Sequence, residues 1–386
     1  MSIQQFVKKT SSGFRRAGVV LALSAAAAVP MAATAGDGSG LAQAIAQAIA
    51  AMQKAAQQTQ AAIQQIQAQT QAALGKIIGQ SGGTLGGTLQ QTIASFTLVL
   101  KEANKTYLDP TPGTASFSET ISYQGLARSY IVVRPDPVIT DAPALILMHA
   151  HGITPQTMAN LARAGRLAHD YGVWVYLPQG ENGKWNEDPS SSSTIDDVGF
   201  ISKMLDDAIS RDKIDSKRVY AAGYSAGGFM AERLACQLSN RIVGFVAVAA
   251  TLRNSMATAA QCAPTHAMPV AFMDGTSDLV VPYKGEPSVQ SAAAATAFWA
   301  VKNSCAATQT STVTLPQQAK DGTTVALTRF TQCPAAAATA LYTINGGGHT
   351  WPDSPYSVYT AYLGKTTQNL DATVELWKFL MPYSLQ

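Results

Sequence analysis

Residues 223–227 read Gly-Tyr-Ser-Ala-Gly, and no other stretch constrains the fold as tightly. The serine follows a short, apolar, β-prone run at 218–222. It precedes a helix-forming run at 228–238 that carries Phe229, Met230, Leu234 and Leu238. Together these predict a buried strand that turns sharply into a helix, with the serine at the apex. Side chains at the two glycine positions would collide where the helix folds back on the strand, and the apex itself needs a strained backbone. Ser225 is thereby the candidate nucleophile, and the backbone N–H of Ala226 is placed to face a negative charge developing beside it.

From residue 115 onward the pattern alternates. Strands are expected at 129–134, 144–149, 173–177, 218–222, 244–249, 270–272 and 340–344. Helices are expected at 155–171, 194–209, 228–238, 290–301 and 372–380, with Ile195, Val198, Ile201, Leu205 and Ile209 forming the inward stripe of the second. Such alternation implies an α/β fold, a mostly parallel sheet with helices on both faces. A chain of 386 residues that is 47% hydrophobic and 13% charged has the material for a large core and excludes a disordered chain.

The first 35 residues have a different character. Lys8, Lys9, Arg15 and Arg16 precede the apolar run 17–29, and Ala33-Thr34-Ala35 offers small residues for cleavage. This is the form of a secretory signal, and the run is shorter than the ~20 residues that span a bilayer. Four of the 27 basic residues and none of the 24 acidic ones lie there, which leaves 23 against 24, a net of −1, in the exported chain. No electrostatic footprint for nucleic acid remains. Residues 36–105 form an Ala/Gln-rich segment with almost no charge, in which Leu41, Ile45, Ile49, Met52, Ile63, Ile66, Leu74 and Ile77 follow helical spacing. A glycine break at 82–87 divides it, and Pro110-Thr111-Pro112-Gly113 marks a linker into the domain at 106–386. The stripe at 41–78 suits self-association or adsorption to a hydrophobic surface; a solvated spacer, or a helix folded on the catalytic domain, is the plainer reading.

A serine is a poor nucleophile until a histidine takes its proton and a carboxylate fixes that histidine's tautomer. Only His266 and His349 follow Ser225, in the order Ser, acid, His that elbows of this type use. His349 sits in Gly346-Gly347-Gly348-His349-Thr350-Trp351, just past an expected strand, and is the candidate base; His266 reads as loop surface. Asp274 and Asp278 both follow the strand at 270–272, and position favours neither. Leu147-Met148-His149-Ala150-His151-Gly152-Ile153 is a strand running into a His-Gly loop, which suits the second oxyanion donor, assigned to Ile153. A metal held by His149 and His151 is the rival, and it lacks a partnered carboxylate motif. Cys236, Cys262, Cys305 and Cys333 fit an oxidising compartment, have no zinc-like spacing, and pair most simply as nearest neighbours, Cys236 with Cys262 and Cys305 with Cys333.

Taken together, His151-Gly152, Trp185-Asn186, Asp196-Asp197-Val198-Gly199-Phe200, Gly223-Tyr224-Ser225-Ala226-Gly227-Gly228, Gly275-Thr276-Ser277-Asp278 with Val281-Pro282-Tyr283, and Gly347-Gly348-His349-Thr350-Trp351-Pro352 carry a resemblance. The chain resembles the poly(3-hydroxybutyrate) depolymerase family of esterases, to which feruloyl and acetyl xylan esterases are related. The likeness runs over residues 115–385. It implies an α/β-hydrolase fold, Asp278 as the triad acid, the nearest-neighbour disulfides, and Trp185, Tyr224 and Trp351 around the substrate cleft, with no cofactor. Many members carry histidine where Asp274 stands. Members that act on solid polymer often add a C-terminal binding module, whereas here adsorption would fall to residues 41–103. The expectation is an exported, periplasmic or extracellular serine esterase acting on poly(3-hydroxybutyrate) or its oligomers. Feruloyl or acetyl esters of plant polysaccharide are the alternative substrates, and a non-catalytic adhesion or assembly protein is the alternative of another class.

Overall fold

Ten strands join in one sheet in the computed structural model, which describes residues 108–306, 308–355 and 363–386. They are β1 (Thr114–Tyr123), β2 (Leu126–Pro135), β3 (Ala144–Met148), β4 (Trp174–Pro178), β5 (Val219–Tyr224), β6 (Phe245–Val248), β7 (Val270–Gly275), β8 (Thr310–Thr314), β9 (Thr324–Phe330) and β10 (Thr339–Asn345). The spatial order is β1-β2-β4-β3-β5-β6-β7-β10-β9-β8. The central strands β4, β3, β5, β6, β7 and β10 pair in parallel, and two antiparallel strands flank them on each side. Their near-continuous apolar runs, such as Ala-Leu-Ile-Leu-Met in β3, are what a sheet covered on both faces requires.

The helices are α1 (Pro155–Leu161), α2 (Ala164–Tyr171), α3 (Asp197–Asp207), α4 (Ala226–Gln237), α5 (Ala292–Lys302) and α6 (Ala372–Leu380). Alternate residues of each strand feed two cores. Ile146, Ala221, Ala247 and Phe272 pack with α3, α4 and α5. Leu145, Leu147, Ala222, Val246 and Met273 pack with α1, α2 and α6. Strand and helix patterns therefore give the expected fold class, with differences of detail. The single helix expected at 155–171 is two, because Thr373 Oγ1 donates to the Ala162 carbonyl (2.6 Å) and Arg163 turns out at φ +49° to pair with Asp353. Helix α3 starts at Asp197 rather than 194, because the Asp196 side chain caps it by accepting from Gly199 N (2.8 Å). Strands β1, β8 and β9 are not among those expected; β1 and β8 are the two edges of the sheet and β9 lies just inside β8, and since β8 is exposed throughout and β1 and β9 are buried at most in part, no buried apolar run announces them. The export signal, the Ala/Gln-rich stripe and the glycine break all fall outside the described residues.

Both expected disulfides are present, Cys236–Cys262 and Cys305–Cys333. The second ties the end of α5 to the end of β9, closing a loop of 28 residues that carries the edge hairpin β8–β9. Loop-closure entropy for that length is about 3.6 kcal/mol. Replacing both Cys305 and Cys333 by serine is expected to lower unfolding free energy by about that amount, read as a lower denaturant midpoint; an unchanged midpoint would contradict it.

Candidate active site

Strand register brings the candidate residues to one level. Tyr224 pairs with Val248, Val248 with Met273, and Gly275 with Ile344, so β5, β6, β7 and β10 end together, with the His149–Ile153 loop beyond β3 alongside. Ligands of open parallel sheets bind outside this carboxyl edge. Ser225 sits at the apex of the β5–α4 turn with φ +55° and ψ −119°, a strained conformation held by its own N–H donating to Val248 O (2.9 Å). Gly223 has the reason expected of it, the helix folding back on the strand, while Gly227 is required by the neighbouring strand β3. A Cβ on Gly223 would lie 2.1 Å from the Gly227 carbonyl oxygen, and one on Gly227 would lie 2.2 Å from that of Met148.

His349 and Asp278 converge on the serine. The Ser225 hydroxyl lies 2.8 Å from His349 Nε2, and His349 Nδ1 lies 2.7 Å from Asp278 Oδ2. The other carboxylate oxygen, Asp278 Oδ1, accepts from the Val280 and Val281 N–H groups, both at 2.8 Å, which fixes the plane of the carboxylate. The histidine is held from behind through its main chain: its N–H donates to Leu363 O (2.6 Å), and the Tyr224 hydroxyl donates to its carbonyl (2.7 Å). His349 and Asp278 are both buried. His266 lies elsewhere, its Nε2 3.3 Å from Val243 O. Asp274 is separate, buried on β7 opposite Thr343, while the hydrogen bonds of the His349 ring go to Asp278 and Ser225.

The close approach of Gly227 to Met148 and His149 sets the first turn of α4 against the 149–153 loop. Among the described residues the Ala226 N–H at the start of α4 has no backbone acceptor, and the Ile153 N–H makes a long bond of 3.4 Å to Ala150 O. That loop is built on His149, a role its motif does not reveal. The ring is fully buried, with Nδ1 2.7 Å from Ala150 O and Nε2 accepting from Gly180 N at 3.0 Å. Burial pushes its pKa down to about 4, and both nitrogens are taken by protein, so it is a neutral bolt and not a metal ligand. Gly152 N to Gly183 O (2.9 Å) and Trp185 Nε1 to His149 O (2.9 Å) complete the tie to the loop after β4.

The three aromatics expected around the cleft are buried. Trp185, Tyr224 and Trp351 are 5%, 5% and 2% exposed. Trp351 donates its Nε1 to Thr373 and meets Tyr224 edge to face, ring centres 6.4 Å apart. Each belongs to an apolar core cluster, whereas Leu279, 88% exposed, and Val280, next in sequence to Asp278, present apolar side chains to solvent. The pair Arg128–Asp197 (2.6 Å), buried and 69 residues apart, is also invisible in sequence; Asp197 in turn accepts from Asn186 N (2.7 Å) and so holds the loop behind Trp185.

A hydroxyl, an imidazole and a carboxylate in line at the ends of β5, β10 and β7, with backbone N–H groups beside the hydroxyl, can transfer an acyl group. The chain belongs to the alpha/beta hydrolase family, whose sequence model matches residues 145–361. Over 237 residues it is 29% identical to feruloyl esterase B of Piromyces equi, an alignment covering 58% of this chain and 42% of that one. Over 161 residues it is 26% identical to the bifunctional acetylxylan esterase/xylanase XynS20E of Neocallimastix patriciarum, covering 42% and 23%. The chain thus spans less than half the length of these two relatives. The acetyl xylan esterase from Aspergillus awamori aligns in structure over 61% of this chain and 94% of its own, with a TM-score of 0.46 and 13% identity.

Proposed function

We propose that the chain is an exported serine esterase working through an acyl-enzyme. Ser225 Oγ attacks the ester carbonyl carbon while His349 Nε2 takes its proton, and Asp278 keeps Nδ1 protonated and the imidazolium stabilised. The Ala226 and Ile153 N–H groups receive the oxyanion. Collapse of the tetrahedral intermediate breaks the ester C–O bond, and His349 returns the proton to the leaving alcohol. Water, deprotonated by the same histidine, then attacks the acyl-enzyme and releases the acid. The observation that carries this reading is the unbroken hydrogen-bonded line from Ser225 through His349 to Asp278. The two disulfides support an oxidising destination.

The substrate proposed first is poly(3-hydroxybutyrate) or its oligomers. The motif set spread over residues 151–352 supports it, as do the apolar Leu279 and Val280 exposed beside Asp278. Feruloyl or acetyl esters of polysaccharide are the second reading, favoured by the likeness to feruloyl esterase B. Residues 36–105 are proposed as a separate segment that serves adsorption or self-association and not chemistry. The test offers the full chain hydroxybutyrate oligomers, amorphous polymer granules, ethyl ferulate and acetylated xylan side by side. Oligomers are expected to show the highest kcat/KM; preference for ferulate or acetyl esters would select the second reading. Absence of both hydrolysis and fluorophosphonate labelling would leave the adhesion role. Deleting residues 36–105 is expected to leave hydrolysis of soluble p-nitrophenyl esters intact and to weaken binding to granules; loss of soluble-ester activity would place the segment inside the catalytic unit.

A further inference from the structure

Behind the nucleophile lies a buried polar cluster that the proposed reaction does not use. Six buried side-chain polar atoms lack a hydrogen-bond partner among the described residues, and five of them belong to Asn186, Glu232, Thr251, Arg253 and Asp274. Three of them are close enough to interact electrostatically, Glu232 with Arg253 and with Asp274. Glu232 projects from α4, Thr251 and Arg253 from the loop after β6, and Asp274 from the end of β7. Asp274 is 3% exposed and Glu232 0%. Each carboxyl has one oxygen bonded by a neutral donor and one left over: Asp274 accepts from the Ala250 N–H with Oδ2 orphaned, and Glu232 accepts from Trp299 Nε1 (2.7 Å) with Oε2 orphaned.

The charges around Asp274 decide its state. Asp278 faces it from the loop that follows β7, and Glu232 from α4; both are acids. On the neighbouring β10, Thr343 lies opposite it in register and is bonded to the Tyr283 hydroxyl (2.8 Å). The nearby cation, Arg253, is committed elsewhere, its guanidinium paired with Glu187 (2.7 Å) and stacked over the Phe229 ring at 4.5 Å. A carboxylate buried with a single neutral donor, an orphaned oxygen and a second carboxylate beside it has nothing to offset its desolvation. A carboxylic acid in the same place does not incur that cost.

We infer that Asp274 is a neutral carboxylic acid beside the triad, a positioning residue that braces the ends of β6 and β7 and leaves Asp278 as the one carboxylate facing His349. Burial first, and then the neighbouring Asp278, push Asp274 well above the usual carboxylate range; burial pushes Glu232 up to about 8. The consequence falls on the base. A second anion next to Asp278 would favour the imidazolium of His349 and move the acid limb of kcat/KM to higher pH; a neutral Asp274 leaves that limb to the His349–Asp278 pair alone.

This inference rests on the proposed Ser225–His349–Asp278 mechanism for its consequence, while its first readout is independent of activity. In the full chain labelled with carboxyl-13C aspartate, one aspartate carboxyl is expected to keep the chemical shift of a neutral acid at neutral pH, and Asp274→Asn is expected to erase that signal. The second readout is the pH profile. Asp274→Asn, which matches the shape of the neutral acid and can still accept from Ala250, is expected to keep the wild-type midpoint of the acid limb. Asp274→Ala, which cannot accept that bond, is expected to lose about tenfold in kcat. Finding every aspartate ionised in the folded wild type would overturn the inference even if no variant folds. A fall of the acid-limb midpoint by about half a pH unit or more in Asp274→Asn would also overturn it, since that is the effect of removing an anion. A chain that hydrolyses no ester yet shows the neutral aspartate would defeat the esterase proposal and not this one.

Discussion

Replacing Ser225 by alanine is expected to lower kcat for ester hydrolysis by about 10⁴ or more while the protein stays folded. The side chain contributes one hydrogen bond, to His349 Nε2 at 2.8 Å, and the apex of the turn is held by backbone contacts that alanine keeps. His349→Ala is expected to cost as much, because a nucleophile and its base act as a unit and losing either removes the same step. Steady-state hydrolysis of a p-nitrophenyl ester, with circular dichroism as the check on folding, measures both. Near-normal turnover in folded Ser225→Ala would remove the elbow serine from the mechanism.

Asp278→Asn is expected to cost about 10³ to 10⁴ in kcat, and the geometry says why so small a change should matter so much. Asp278 Oδ1 accepts two backbone N–H groups, from Val280 and Val281, while Oδ2 faces His349 Nδ1. An amide placed there keeps its oxygen on the two N–H groups and turns its NH₂ toward Nδ1. Nδ1 must then accept, the ring proton moves to Nε2, and Nε2 can no longer take the proton of Ser225. Asp274→Asn touches neither nitrogen, so its effect on kcat should be far smaller. Measured on the same ester, a reversed ranking of the two variants would transfer the role of triad acid to Asp274.

The pair Asp274 and Asp278 also marks the border of what a linear reading can reach. Four residues apart in one strand-to-loop stretch, they are equivalent in sequence, and a family likeness was needed to prefer the second. In the fold, the turn after Gly275 carries Asp278 to the histidine and leaves Asp274 on β7, bonded to the Ala250 N–H. The same holds for the aromatics. Trp185, Tyr224 and Trp351 sit in motifs, yet a motif does not say how far a ring is buried; core neighbours from distant segments bury all three.

By itself the sequence determined whatever is set by neighbours along the chain. Alternating apolar periods specify strand and helix, and so a parallel sheet covered on both faces. The two glycines around Ser225 specify the elbow, because closely packed backbone, that of Gly227 against Gly223 and that of Met148 against Gly227, leaves no room for a Cβ. Nearest-neighbour cysteines specify the disulfides. Only the tertiary structure decided the rest, because partners far apart in sequence supply the deciding contact. Thr373 and Asp353 break the helix at Ala162–Arg163, Arg128 secures Asp197, and Gly180 fixes the tautomer of His149. Hydrogen bonding decided most of all: Asp274 and Asp278 are both buried, but Asp278 meets His349 and two backbone N–H groups, whereas Asp274 keeps one oxygen without a hydrogen-bond partner among the described residues.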